Sequence, residues 1–156
     1  MQNHMKLAEG LVLRADAKRR IERLRERLKS AALVQEGEEP PENPNDLLDE
    51  LTRLLQQTET LIERVNRTNL QAVLQSGTTL TAALAKRDIL SVHFAVLETT
   101  ATAATPKFDR MNRSEIKKVP TIKVAELRRQ MDDLARQRRE LDTEIQAANW
   151  TVELLE

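Results

Sequence analysis

His4 and His93 are the only imidazoles in the chain, and there is no cysteine. Those two facts limit most of what side chains do as acids, bases, nucleophiles or metal ligands near neutral pH. A ferritin-like two-metal centre takes Glu-x-x-His from two helices and a Glu from each of two others. Neither histidine here has a Glu three residues before it. Without cysteine there is no disulfide, no thiolate zinc site and no thiol nucleophile. Serines and threonines are present, but none sits in a glycine-rich elbow. Three glycines, spread along the chain, build neither GxxxxGK nor GxGxxG. By residue type and spacing we therefore expect no catalytic residue, no metal and no cofactor, and the reading points away from an enzyme.

What remains is arginine chemistry. Residues 14–29 hold eight Lys/Arg against three acids, a net +5, and Arg19, Arg20 and Arg23 form a candidate basic face there. Residues 107–129 likewise hold eight against three, net +5, whereas residues 35–50 hold seven acids and no base, net −7. Such a basic helix can bind a nucleic-acid backbone, but stacking aromatics are nearly absent, and the acidic segment offers an internal or inter-subunit partner. Over the whole chain 25 basic and 25 acidic residues cancel, so no general field draws it to polyanions. Arg87 and Arg138 fall in otherwise apolar stripes. Their stems pack while their heads reach water, or they form an ion-pair layer with carboxylates such as Asp88, Glu98, Glu115 or Asp142.

The elements that position these groups are helical. Hydrophobic residues make up 40% and charged residues 32%, with one Trp, two Phe and no Tyr. A core of Leu, Ile, Val, Met and Ala suits facing helices. Ala17, Ile21, Leu24, Leu28 and Ala31 follow spacings of 4, 3, 4 and 3, a heptad seam in a first helix over about 5–34. Thirty residues give a rod about 45 Å long. Gly37 is expected to cap its end, and Pro40, Pro41 and Pro44 forbid continuation. Asn43 as N-cap, Pro44 at the first helical position and Asp46 in the first turn start a second helix over about 44–67. Its stripe is Leu47, Leu51, Leu54, Thr58, Leu61 or Ile62, and Val65, and the short connector predicts antiparallel packing on the first helix. A break over Asn66–Thr78 precedes a third helix over about 78–102 with Leu80, Leu84, Arg87, Leu90, Phe94 and Leu97 on one face. The fourth helix, about 123–150, keeps a regular heptad through Val124, Leu127, Met131, Leu134, Arg138, Leu141, Ile145 and Ala148. Residues 105–121 form a long irregular loop, in which Ile116–Ile122 has some β character.

The expected fold is thus all-α: one helical domain over 1–156, with four long amphipathic helices in a coiled-coil-like bundle or paired helical hairpins. The N-terminal residues lack the pattern of a signal peptide, and no apolar run approaches the ~18 residues of a membrane span, so the expected location is the cytoplasm.

Several blocks along the chain, KLAEGLVLRADAKRRIERLRERL, VQEGEEP, ERVNRTN, GTTLTAALAKRD, NRSEIKKVPTIKV and ELDTEIQAANW, resemble the septicolysin-like family of small bacterial proteins. The resemblance runs from Lys6 to Leu154 and departs at Lys123, where a capping Asp is expected and Thr121 stands in. It implies a helical protein without established activity. The family's name suggests a cytolysin, and a membrane-active protein is the most distant of the readings. These blocks place polar residues at the ends of elements: Asn66, Arg67, Thr68 and Asn69; Arg113, Ser114 and Glu115; Gln146, Asn149 and Trp150. They are expected to meet as a hydrogen-bonded network at one end of the bundle, structural or binding, where alanine at Asn69 or Arg113 costs ~1–3 kcal/mol if the network is buried. Trp150 is either docked within the chain or an anchor between subunits.

The functional expectation is a non-enzymatic, self-associating helical scaffold or partner-binding protein, a homo-oligomer. The alternative is a nucleic-acid-associated factor that uses the first helix and residues 107–129.

Overall fold

The computed structural model describes residues 5–105 and 118–156. The fold is all-α, with four long helices: α1 (Leu7–Ala31), α2 (Pro44–Gln71), α3 (Leu80–Ala104) and α4 (Val124–Thr151). The starts follow local chemistry. At α2, the Asn43 side chain accepts from the Asn45 amide at 3.0 Å, and Pro44 occupies the first turn. At α3, the Thr79 hydroxyl accepts from the Ala82 amide at 3.3 Å. At α1, the Lys6 amide donates to the Glu9 carboxylate at 2.7 Å, the reaching-back half of a capping box. At α4, the Lys123 carbonyl accepts from the Glu126 and Leu127 amides.

Contacts gather in two compact units. The first comprises residues 1–72 with 147–156, and the second comprises residues 73–146. In the first unit, α1 and α2 close the predicted seam on each other. Leu24, Ala31, Leu47 and Leu54 form its buried core, and Ala17, Ile21, Leu28 and Leu51 pack against them. The helices run antiparallel: Arg27, late in α1, pairs with Glu42 and Glu50, while Met5–Leu7 and Arg64–Thr68 approach the same C-terminal strand. Between the two candidate stripe positions on α2, Leu61 faces the seam and Ile62 is exposed.

In the second unit, Leu80, Ala83, Leu90 and Ala101 of α3 are buried, with Leu84, Arg87, Phe94 and Leu97 half-buried. From α4, Leu127, Leu134 and Ile145 are buried and Val124, Met131 and Leu141 half-buried. Arg138 lies on the α4 stripe by spacing, yet its side chain is exposed and 3.8 Å from Asp142; Arg87 donates to Asp88 at 3.0 Å. Both arginines therefore hold heads at the surface beside a carboxylate on their own helix, and neither forms a buried layer.

Three local expectations change. α1 ends at Ala31, with Ala32 as its cap in a right-handed conformation. Gly37 (φ 91°) instead serves a separate turn in which the Glu38 amide donates to the Gln35 carbonyl. α2 continues through Asn66–Asn69 to Gln71, because Val65 and Thr68 are buried and packing overrides the preference of Asn and Thr for caps. The turn after it is made by Gly77 (φ 80°), whose amide donates to the Leu74 carbonyl. Among the described residues β pairing is confined to two isolated bridges, Lys6 with Glu153 and Val73 with Thr79. Most of the irregular loop, including Ile116, lies outside the described residues. No described helix is long and apolar enough to cross a membrane.

Candidate functional site: an arginine-lined groove and a clamped C-terminal strand

Above the α1–α2 seam, towards the N-terminal end of α1, the two helices part into a groove of about 580 Å³. Its lining is mixed: Leu13 and Ala17 of α1 and Leu54 and Leu61 of α2 give apolar surface, and Asp16, Thr58 and neighbouring polar side chains lie among them. Its rim carries Arg19, Arg20 and Arg23 from α1 and Arg64 from α2. The three α1 arginines are those of the predicted basic face; Arg64 was not among the candidates. It sits in the quoted block ERVNRTN, but only the antiparallel register, in which low α1 numbers meet high α2 numbers, brings it to the rim. Arg19 bonds Asp16 one turn back, whereas Arg20 and Arg23 form no ion pair with any described residue. A concave, partly apolar lining with a few convergent charges is the usual form of a binding site.

At the far end of the hairpin the charges are satisfied internally. Arg27 grips Glu42 with two parallel hydrogen bonds and reaches Glu50 at 3.6 Å. The bond from Arg27 holds the Glu42 carboxyl below the ordinary carboxylate range, and the same contact raises the Arg27 guanidinium above its own. Glu26 is likewise lowered by its bond from Lys29.

Within the first unit, a polar cluster is built around the last residues. After α4, residues 152–156 form a short terminal segment, the C-terminal strand, which bridges Lys6 at Glu153 and whose successive amides bond to different partners. The Leu154 amide donates to the Met5 carbonyl at 2.8 Å, and the Leu7 amide returns a bond to Val152 at 2.9 Å. The next amide, of Leu155, donates to the Thr68 hydroxyl at 3.0 Å, and Arg64 Nε donates to the Leu155 carbonyl at 2.8 Å. Arg67 donates to the Glu156 main-chain oxygen and to Glu63. Leu154 is buried, and a Cβ placed on Gly10 would come within 2.9 Å of it. The strand is thus clamped between the start of α1 and the end of α2.

Of the residues expected in a polar network, Arg67 and Thr68 join this clamp. Asn66 and Gln146 are exposed, Asn69 is half-buried and Asn149 is buried. Trp150 is 64% exposed. Arg113, Ser114 and Glu115, like His4, lie outside the described residues. The structure adds Arg64 and Leu154 to the network, both bonded through main-chain atoms that sequence patterns do not mark. His93 is exposed on α3, and no group of three or more His, Cys, Asp or Glu among the described residues could hold a metal ion.

A family model described as a family of unknown function, DUF6847, matches residues 14–154. The chain belongs to DUF6847. It is also similar to a solved structure titled as a functionally unknown conserved protein from Corynebacterium diphtheriae, at 41% identity over 98% of this chain and 100% of that one, with a TM-score of 0.90. No curated protein matches it. The DUF6847 match takes in all four arginines of the groove and the strand as far as Leu154. Neither match brings an activity with it.

Proposed function

We propose that this DUF6847 protein works by binding rather than by catalysis, as a helical scaffold that associates with copies of itself and presents docking surfaces to other chains. One observation carries the reading. On α3, Ile89, Val92 and Val96 are 67%, 59% and 57% exposed, and spacings of 3 and 4 place them in one row. Single exposed apolar residues are ordinary, but a row on one helix face is the mark of a contact surface. The exposed Trp150 supports the same reading, since tryptophan is enriched at the centres of interfaces. The septicolysin-like resemblance belongs to this proposal too, supported by the order of its blocks from Lys6 to Leu154.

Light scattering after size exclusion tests it. The expected mass is a multiple of 17.8 kDa, and Ile89→Lys with Val96→Lys lowers it. A wild-type mass of 17.8 kDa at every concentration refutes it.

The arginine rim favours a second reading, association with a nucleic-acid backbone. Its signature is binding that weakens steeply with salt and is abolished, with the helices intact, when Arg19, Arg20 and Arg23 are changed to Glu.

A further inference from the structure

The groove and the α1–α2 connector are complementary, and they sit at opposite ends of the hairpin. The connector offers Leu33, 87% exposed, followed within six residues by the exposed acids Glu36, Glu38 and Glu39. None of these three acids forms an ion pair with any described residue. The groove offers apolar side chains and two arginines without a carboxylate partner among the described residues, while the one carboxylate in its lining, Asp16, is bonded to Arg19. An apolar side chain beside three carboxylates fits apolar surface beside guanidinium groups, which bind carboxylates in a planar, two-point manner.

A chain does not fill its own groove. From Arg20 to Ala31 the axis of α1 advances roughly 17 Å before the connector begins. The bonds of Arg27 to Glu42 and Glu50 fix the connector at that end. The loop is therefore offered to a neighbour.

We propose that the arginine groove between α1 and α2 receives the acidic connector, Leu33–Glu39, of a second copy of this chain, with Leu33 on its apolar side chains and the glutamates against Arg20 and Arg23. This names a site for the self-association proposed above and rests on that reading. Two hairpins related by a two-fold axis make the contact twice, once in each direction, which closes the pair. The contact is chiefly electrostatic in its recognition, so it fixes which surfaces meet and in what register.

The test starts from the Ile89→Lys/Val96→Lys protein, so that association through α3 is removed. At low salt this protein is expected to remain associated. Reversing the groove (Arg20→Glu with Arg23→Glu) and reversing the loop (Glu36→Lys, Glu38→Lys and Glu39→Lys) should each bring the mass to 17.8 kDa. Mixing the two reversed proteins should restore the pair, because each loop then meets a groove of opposite charge. That rescue also shows that neither variant is misfolded. If both reversals leave the mass unchanged, the groove is not the contact and the inference fails, while self-association stands. If the wild-type chain is 17.8 kDa throughout, both fail together. Should the groove reversal alone dissociate the protein and the mixture not recover, the occupant is not the loop. Loss of a duplex RNA by the groove variant, with its mass unchanged, gives the groove to a nucleic-acid backbone and likewise overturns the proposal.

Discussion

The Thr68 hydroxyl donates to the Arg64 carbonyl one turn back and accepts the Leu155 amide, and the side chain is buried. Thr68→Val keeps the shape and removes the acceptor, leaving the Leu155 amide without a partner. The expected loss is ~1–3 kcal/mol in chemical denaturation, against less than ~0.5 kcal/mol for the exposed Asn66→Ala. Both residues lie in one sequence block and look alike as cap formers. Only the return of a strand 87 residues away separates them, and local patterns cannot carry that information. Glu42 makes a different prediction. Its carboxyl is held below the ordinary range by the bond from Arg27, so its contribution is complete above the unfolded-state value and is lost as pH falls through the folded one. The melting-temperature gap between wild type and Glu42→Gln should be constant near neutrality, begin to shrink at about pH 4.3 and close below that. A gap that widens on acidification contradicts the assignment.

Among the elements, the α1–α2 seam was legible in full: a 3.5-residue apolar period on two helices joined by a proline-rich connector leaves one economical way to bury both stripes. Arg138 shows the limit of that reasoning, because spacing assigns a position to a stripe without saying whether the neighbouring helix covers it. The clamped strand was not legible, since five residues without period or turn signal carry its contacts. Gly10 is the one local sign of it. A glycine inside a helix costs up to ~1 kcal/mol relative to alanine, and here it leaves room for Leu154. Leu154→Ala should therefore cost ~2–5 kcal/mol. Gly10→Val should cost ~1–3 kcal/mol by displacing the same side chain. The double variant should lose clearly less than the sum, because both changes empty one seat. Strict additivity in urea denaturation would show that Leu154 and Gly10 act separately.

For the molecule as a whole, zero net charge means that salt acts on local fields and not on overall repulsion. Raising salt from ~0.15 to ~1 M shortens the screening length from ~8 to ~3 Å. Contacts through the α3 row should survive this and contacts through the arginine groove should weaken. The wild-type mass is expected to step down without reaching 17.8 kDa, and the Ile89→Lys/Val96→Lys protein to fall to that value. An unchanged mass in the second protein contradicts the electrostatic contact. Arg64 gives these surfaces a further property. Its guanidinium stands on the rim of the groove while its Nε holds the Leu155 carbonyl. Occupancy of the groove, as proposed above, and docking of the strand would therefore draw on one side chain, which would link the two equilibria. If an occupant pulls Arg64 away and loosens the strand by some factor, a loosened strand must change the occupant's affinity by that same factor. With the groove occupied as proposed, the last residues of the chain become an internal effector, able to report whether the groove beside them is full.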